Sequence, residues 1–153
     1  MFQSIYQFGK RIKTGYLISG AALMMLIVSI ITSLISNLFA IKLTSGFPEF
    51  KSVWEEAVTG LIIAPLLETI LFQCAIIESF KGKSKLKWGM PVSALIFGLV
   101  HLYNPVYFIY GILAGFILAF VYIIPESLWK RILFTYCTHL LYNLTVFLLG
   151  KID

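Results

Sequence analysis

Hydrophobic residues occupy five long runs of this chain, and short polar or basic stretches separate them. The runs predict five membrane-spanning helices at 16–40, 53–80, 88–103, 106–124 and 131–149. A helix of about 20 apolar residues is long enough to cross ~30 Å of hydrocarbon. Within the runs, Gly98 and the GxxxG pair Gly111 and Gly115 leave room for close helix approach. The pattern predicts an all-α, polytopic helical bundle, with residues 1–153 as a single domain.

The composition points to the same class of protein. Hydrophobic residues make up 59% of the chain and charged residues 12%, and the mean hydropathy is +0.92. Soluble domains carry roughly 25% charged residues, so an integral membrane protein is expected. The segment 1–14 mixes aromatic and basic residues and is predicted to lie along the inner membrane surface. The net charge of +5 fits basic cytoplasmic loops, and no nucleic-acid partner is expected.

The distribution of lysine and arginine predicts the orientation. With the N-terminus inside, nine of these residues face the cytoplasm and three face outward. The nine are Lys10, Arg11, Lys13, Lys81, Lys83, Lys85, Lys87, Lys130 and Arg131, and the three are Lys42, Lys51 and Lys151. Because cytoplasmic loops are enriched in positive charge, we predict an N-in, C-out topology.

The candidate chemistry begins with Glu68, a carboxylate in the middle of the second run. A charge at that depth costs at least ~2.5 kcal/mol, which makes it a functional-site hypothesis by default. The two histidines of the chain, His101 and His139, also fall in apolar runs, and Asn143 lies one turn beyond His139. At ~1.5 Å per residue, all four side chains lie near the midplane or slightly outside it. Together they can activate a nucleophile and stabilise an oxyanion.

Each of these residues also has a structural interpretation. A lone buried Glu or His can be a satisfied core residue, and an Asn can bond across helices. His, His and Glu are legitimate zinc ligands, but the chain has no HExxH motif, so no metal and no cofactor are expected. Cys74 and Cys137 are expected to be packing residues. A proton-relaying transporter is a further alternative, although no inverted repeat is visible.

Three short motifs follow one another along the runs. Glu68 precedes Phe72 and Gln73, the segment 97–101 reads FGLVH, and the segment 139–143 reads HLLYN. Their order, spacing and membrane placement resemble the CPBP family of CaaX proteases and bacteriocin-processing enzymes, also called Abi. The pattern of that family is EExxxR, then FxxxH, then HxxxN. The resemblance covers about residues 64–143.

The resemblance implies roles for the site residues. Glu68 would be the base that activates the nucleophile and His101 its partner, while His139 and Asn143 would stabilise the oxyanion. The second Glu and the Arg of the family pattern are Thr69 and Gln73 here. This neutral pair, at i and i+4, can still hydrogen-bond, and we expect it to support the site together with Phe97. Five spans are fewer than the CaaX-type proteases are expected to have, so the substrate chamber is expected to differ.

The resemblance implies an enzyme that acts on acyl or peptide bonds of a membrane-anchored, lipidated protein or peptide. In one version Glu68 activates water and a peptide bond is cut. In the other, an amine accepts an acyl chain, as in bacterial lipoprotein N-acylation. Small family members that resemble this chain include a component of that pathway. The small size and the altered EExxxR pattern favour acyl transfer, in a bacterial cytoplasmic membrane and with a second pathway protein as a candidate partner. The alternative class is a non-enzymatic immunity or scaffold protein.

Overall fold

The computed structural model describes residues 2–41, 50–80 and 86–150, and every regular element among them is a helix. In chain order the helices are α1 (Phe2–Arg11), α2 (Thr14–Leu38), α3 (Val53–Ser79), α4 (Leu86–Leu99), α5 (Pro105–Ile123) and α6 (Leu128–Leu149). The predicted all-α bundle is confirmed. The five predicted runs correspond to α2 to α6, and each predicted boundary lies within about four residues of the observed one.

Four helices are long and apolar enough to cross a membrane, namely α2, α3, α5 and α6. The predicted third span is α4, which has 14 residues and a length of about 21 Å, less than the thickness of the hydrocarbon. The count of five spans and the N-in, C-out orientation therefore stay predictions. Five lysines used for that orientation lie outside the described residues: Lys42, Lys81, Lys83, Lys85 and Lys151.

Helix α3 is irregular on both sides of Glu68. Two π-helical stretches, Val58–Ile63 and Thr69–Cys74, flank the α-helical segment Ala64–Glu68. A carbonyl in each stretch accepts a hydrogen bond from another helix. Gly60 O accepts from Asn143 Nδ2 of α6, and Phe72 O accepts from Ser93 Oγ of α4, each at 2.8 Å. These bonds fix the rotation of the segment that carries Glu68, and such wide turns are frequent at functional sites.

Helices α4 and α5 approach each other closely through small residues. A Cβ placed on Gly111 would lie 3.0 Å from Gly98 Cα, and one on Gly115 would lie 2.9 Å from Ala94 Cα. The close approach predicted from Gly98 and the GxxxG pair is confirmed. Helix α2 packs against α5 and α6 and closes the bundle on the opposite side.

The chain turns between α4 and α5 at residues 100–104. Asn104 Oδ1 accepts a hydrogen bond from Val106 N at 2.9 Å and caps α5, and Pro105 is the first residue of that helix. Because a residue before proline avoids the helical conformation, α4 ends before Asn104, whose φ is −142°. His101, which the predicted run 88–103 includes, therefore lies in this turn and not in α4.

A second polar cluster lies at the other end of α3. Arg131, counted from the sequence among the charges that face the cytoplasm, is only 9% exposed. Its Nη1 lies 3.0 Å from Glu78 Oε1, and its Nε donates to Pro125 O at 2.7 Å. Tyr122, which is fully buried, donates its hydroxyl to the same Glu78 oxygen at 3.0 Å. This cluster joins α3, α5 and α6, and the apolar patterning gave no sign of it.

Candidate active site

A cavity of about 270 Å³ lies among α3, α5 and α6, with the end of α4 and Met25 of α2 also lining it. All four predicted site residues line this cavity: Glu68, His101, His139 and Asn143. They come from α3, the α4–α5 turn and two consecutive turns of α6. The structure thus brings together the four side chains for which the sequence predicted similar depths in the membrane. Their catalytic roles stay predictions.

The contact between Glu68 and His139 joins the two helices that carry the site. Glu68 Oε2 lies 3.5 Å from His139 Nε2, and the side chains are 20% and 6% exposed. This distance is longer than an ordinary hydrogen bond. Catalytic hydrogen bonds are often long before substrate binds and shorten in the substrate complex. A small closing movement would therefore bring the two groups within hydrogen-bond distance.

His101 reaches the cavity from the turn that follows α4. Its Nδ1 lies 2.8 Å from Phe97 O. Because a carbonyl oxygen only accepts, Nδ1 carries the proton in this contact, and in the neutral ring Nε2 then has the lone pair. The ring of Phe97, 2% exposed, lies 5.1 Å from the ring of His101 and 5.9 Å from that of His139. Phe97 thus contacts and orients both imidazoles, which fits the supporting position predicted for it.

Asn143 lines the cavity and also holds α6 against α3. One N–H of its amide donates to Gly60 O at 2.8 Å. This is the cross-helix bond that the sequence left open as the structural interpretation. An amide nitrogen carries two N–H groups, so one donor is used by Gly60 and the second remains for other partners. Asn143 can therefore both position the helix and bind an oxygen atom in the cavity.

Thr69 and Gln73, the two departures from the family pattern, lie in the packed interior and not in the cavity. Both side chains are fully buried. Thr69 Oγ1 and both amide atoms of Gln73 have no hydrogen-bond partner among the described residues. No hydrogen bond therefore joins the two side chains, although their spacing would permit one, and their supporting role stays a prediction.

Several cavity residues were missed by sequence reasoning. The rings of Tyr110 and Tyr142 lie 5.8 Å apart, and Tyr103 and Tyr107 line the cavity beside His101. Tyr142 follows His139 by three residues, a spacing that places both on one helix face and was available as a signal. Tyrosines near span ends are common at membrane interfaces, so their presence alone indicated no site. Met25 of α2 carried no signal.

The arrangement supports proton transfer beside a polarised carbonyl group. A carboxylate, an imidazole with a free lone pair and an amide donor share one largely buried space, where electrostatic interactions are stronger than in water. Cys74 and Cys137 are free thiols that do not line this cavity. Across residues 2–41, 50–80 and 86–150, no three His, Cys, Asp or Glu side chains form a group that could hold a metal ion.

A known family model covers this site. The model described as type II CAAX prenyl endopeptidase Rce1-like matches residues 50–145. That range includes Glu68, His101, His139 and Asn143, so the resemblance to the CPBP family drawn from the three motifs is confirmed. No curated protein and no solved structure matches the chain. The apolar helices and the family match together make the chain a multi-pass membrane protein.

Proposed function

The chain belongs to the type II CAAX prenyl endopeptidase Rce1-like family, and on this basis we propose that it is an intramembrane, glutamate-dependent peptidase. Its substrate is a lipidated protein or peptide anchored in the same bilayer, and Glu68 is the general base. The observation that carries this proposal is the Glu68–His139 contact of 3.5 Å in a cavity that also contains His101 and Asn143. We place the protein in the cytoplasmic membrane of a bacterium.

The proposed reaction is hydrolysis of a peptide bond. A water molecule between Glu68 and the lone pair of His101 Nε2 gives a proton to Glu68 while its oxygen attacks the carbonyl carbon. The carbonyl oxygen becomes an oxyanion and accepts hydrogen bonds from His139 and Asn143. The C–N bond then breaks, and Glu68 returns the proton to the leaving nitrogen. The products are a carboxylic acid and an amine.

Acyl transfer to the N-terminal amine of a lipoprotein is the second candidate. The family name does not support it, but the placement of the cavity favours it. The cavity lies at the end of the bundle away from the start of α2 and is bordered there by Tyr103 and Tyr107. With the predicted N-in topology, this end faces the outer leaflet, where mature bacterial lipoproteins are anchored. Glu68 would then take a proton from the amine as it attacks the carbonyl carbon of an acyl ester. The C–O bond breaks, and Glu68 returns the proton to the leaving oxygen, which gives an amide and an alcohol.

The test compares cells that carry the intact protein with cells that carry Glu68→Gln at equal abundance. Mass spectrometry of membrane peptides and of lipoprotein N-termini is the readout. The matched control is Glu55→Gln, which makes the same chemical change at an exposed residue near the start of α3. We expect an uncut precursor to accumulate with Glu68→Gln, because loss of a general base slows the reaction by about 10²–10⁴-fold. Glu55→Gln should behave as the intact protein does.

The other outcomes separate the alternatives. Loss of an N-terminal acyl chain with Glu68→Gln would replace hydrolysis by acyl transfer. If peptides and lipoproteins are the same with Glu68→Gln as with the intact protein, the enzyme hypothesis fails. The scaffold or immunity alternative then gains support if Glu68→Gln keeps the cellular phenotype, since an immunity or scaffold role needs no general base.

A further inference from the structure

Two adjoining cavities lie at the end of the bundle away from the active site. The first, the apolar groove, has a volume of about 510 Å³ and runs between the first half of α2 and the second half of α5. Its walls include Tyr16, Gly20, Met24, Phe116 and Phe120. It separates two helices that elsewhere pack together, so it provides space for a flexible apolar chain.

The second cavity, the polar pocket, continues from the apolar groove. It has a volume of about 440 Å³ and lies where α1 and the start of α2 meet the α5–α6 turn. Lys10, Glu126 and Lys130 line it, and Ile12 and Leu17 line both cavities. One ligand can therefore place an apolar part in the groove and a polar part in the pocket without leaving the protein surface.

The charges that line the polar pocket favour a ligand whose polar part is negative. Lys10 Nζ lies 3.0 Å from Glu126 Oε1, and the hydrogen bond from Lys10 lowers the pKa of the Glu126 carboxyl, so it is ionised at neutral pH. This pair is neutral overall, and Lys130 adds one positive charge. The backbone N–H groups at the start of α6 contribute the positive end of a helix dipole beside Ser127, which caps that helix.

We propose that the apolar groove and the polar pocket together bind one anionic phospholipid. Its acyl chains lie along α2 and α5, and its phosphate lies beside Lys10 and Lys130. Basic pockets between membrane helices are a recognised site for anionic head groups, and the predicted topology places this end in the leaflet where such lipids concentrate. The lipid would join α1, α2, α5 and α6 at the end away from Glu68, so this site is separate from the catalytic cavity.

The structure offers a matched pair of variants for the test. A Cβ on Gly20 or on Gly15 would meet no atom within 4 Å, so both positions of α2 accept a larger side chain. Gly20 lines the apolar groove, whereas Gly15 lines neither cavity. Gly20→Leu therefore fills the groove, and Gly15→Leu is its control.

The experiment adds phosphatidylglycerol or phosphatidylcholine to the purified full chain in detergent and measures lipid retention by native mass spectrometry together with the melting temperature. We expect one phosphatidylglycerol to be retained and to raise the melting temperature, with a much weaker effect of phosphatidylcholine. Gly20→Leu should abolish retention, and Gly15→Leu should preserve it. Lys130→Gln should weaken binding about fivefold, because one basic residue near the surface contributes about that factor. Glu126→Gln should strengthen binding, since it removes a negative charge from the pocket.

Three results would overturn the proposal. Equal retention of the two lipids would show only the ordinary lipid layer around a membrane protein. Retention by Gly20→Leu at the level of Gly15→Leu would place the lipid elsewhere. Weaker binding by Glu126→Gln would show that the charge in the pocket does not select the head group.

Discussion

Two carboxylates of α3 each meet a basic side chain of α6, and the two contacts are built differently. Glu78 Oε1 lies 3.0 Å from Arg131 Nη1, and the same oxygen accepts from Tyr122. Glu68 Oε2 lies 3.5 Å from His139 Nε2, and His139 Nδ1 has no hydrogen-bond partner among the described residues. The first contact is short and shares its oxygen with a second donor, whereas the second is longer, incomplete and lines a cavity. The difference separates a contact that holds the helices together from one that keeps capacity for a substrate.

The strongest test of this comparison removes the base from the short contact. Arg131→Met leaves Glu78 largely buried without its cation, and we expect a loss of about 3–5 kcal/mol in the free energy of unfolding. Equilibrium unfolding in mild detergent measures it. The double variant Glu78→Met with Arg131→Met removes both charges and should recover most of the loss. A double variant as unstable as Arg131→Met would contradict the interpretation of Glu78 and Arg131 as a structural pair.

Removing His139 from the incomplete contact should lower the reaction rate strongly and the stability only slightly, whereas Arg131→Met acts mainly on stability. His139→Leu should lower the rate of the proposed reaction by about 10²–10³-fold, because an oxyanion donor is lost. The free energy of unfolding should change by less than about 1 kcal/mol, because the 3.5 Å contact with Glu68 is longer than an ordinary hydrogen bond and contributes little to stability. Rates and unfolding are measured on the same preparation. A large loss of stability with an unchanged rate would make His139 a structural residue.

Close helix packing supports both contacts, and a smaller effect is expected there. Gly98→Ala would bring a methyl group against Ile112 and within 3.1 Å of Phe108 O. We expect a loss of about 1–3 kcal/mol from overpacking between α4 and α5. Gly60→Ala, at a position where a Cβ meets nothing within 4 Å, is the control for adding a methyl group. Thermal unfolding of the two variants should therefore diverge, and equal melting temperatures would argue against close packing at Gly98.

The hydrogen bond from Ser93 to the second π-helical stretch should contribute less to stability than the close packing at Gly98. Ser93→Ala removes the donor to Phe72 O, and we expect a loss of about 1 kcal/mol in the free energy of unfolding. Thr145→Ala removes a hydroxyl that donates within its own helix at an exposed position and is the matched control. An equal effect of the two changes would mean that the cross-helix bond adds nothing to the stability of α3.

The exposed pair Lys10 and Glu126 gives the smallest effect and completes the series of carboxylate–base contacts. Hydrogen bonding to Lys10 lowers the pKa of the Glu126 carboxyl from its ordinary value of 4.5. The contribution of the pair is therefore present at neutral pH and is lost as the pH falls through that lowered pKa. Because the two side chains are 32% and 85% exposed, salt screens the pair, and Glu126→Gln should leave the melting temperature unchanged at neutral pH in roughly 0.5 M salt. A clear drop there would show that the pair is structural.

The sequence predicted the helices well and the site in part. Apolar runs must be buried in lipid or protein, so their ends follow from composition, and the convergence of Glu68, His139 and Asn143 follows from their depths. The π-helical stretches could not be predicted, because they depend on partners at Ser93 and Asn143 from other helices. The burial of Arg131 could not be predicted, because its partner, Glu78, is more than 50 residues away in sequence. His101 was expected inside the third run, but α4 ends before it, so the residue lies in the turn that leads to Pro105.

The two π-helical stretches affect how α3 would respond to the loss of a residue near Glu68. Each wide turn accommodates one residue more than an ordinary turn would, and Glu68 lies between them. Deleting a single residue within either stretch would therefore restore a regular turn and leave the segments on both sides close to their present rotation. Glu68 would keep its direction toward the cavity. What the deletion would remove is the wide turn itself, and with it the carbonyl that Asn143 or Ser93 binds.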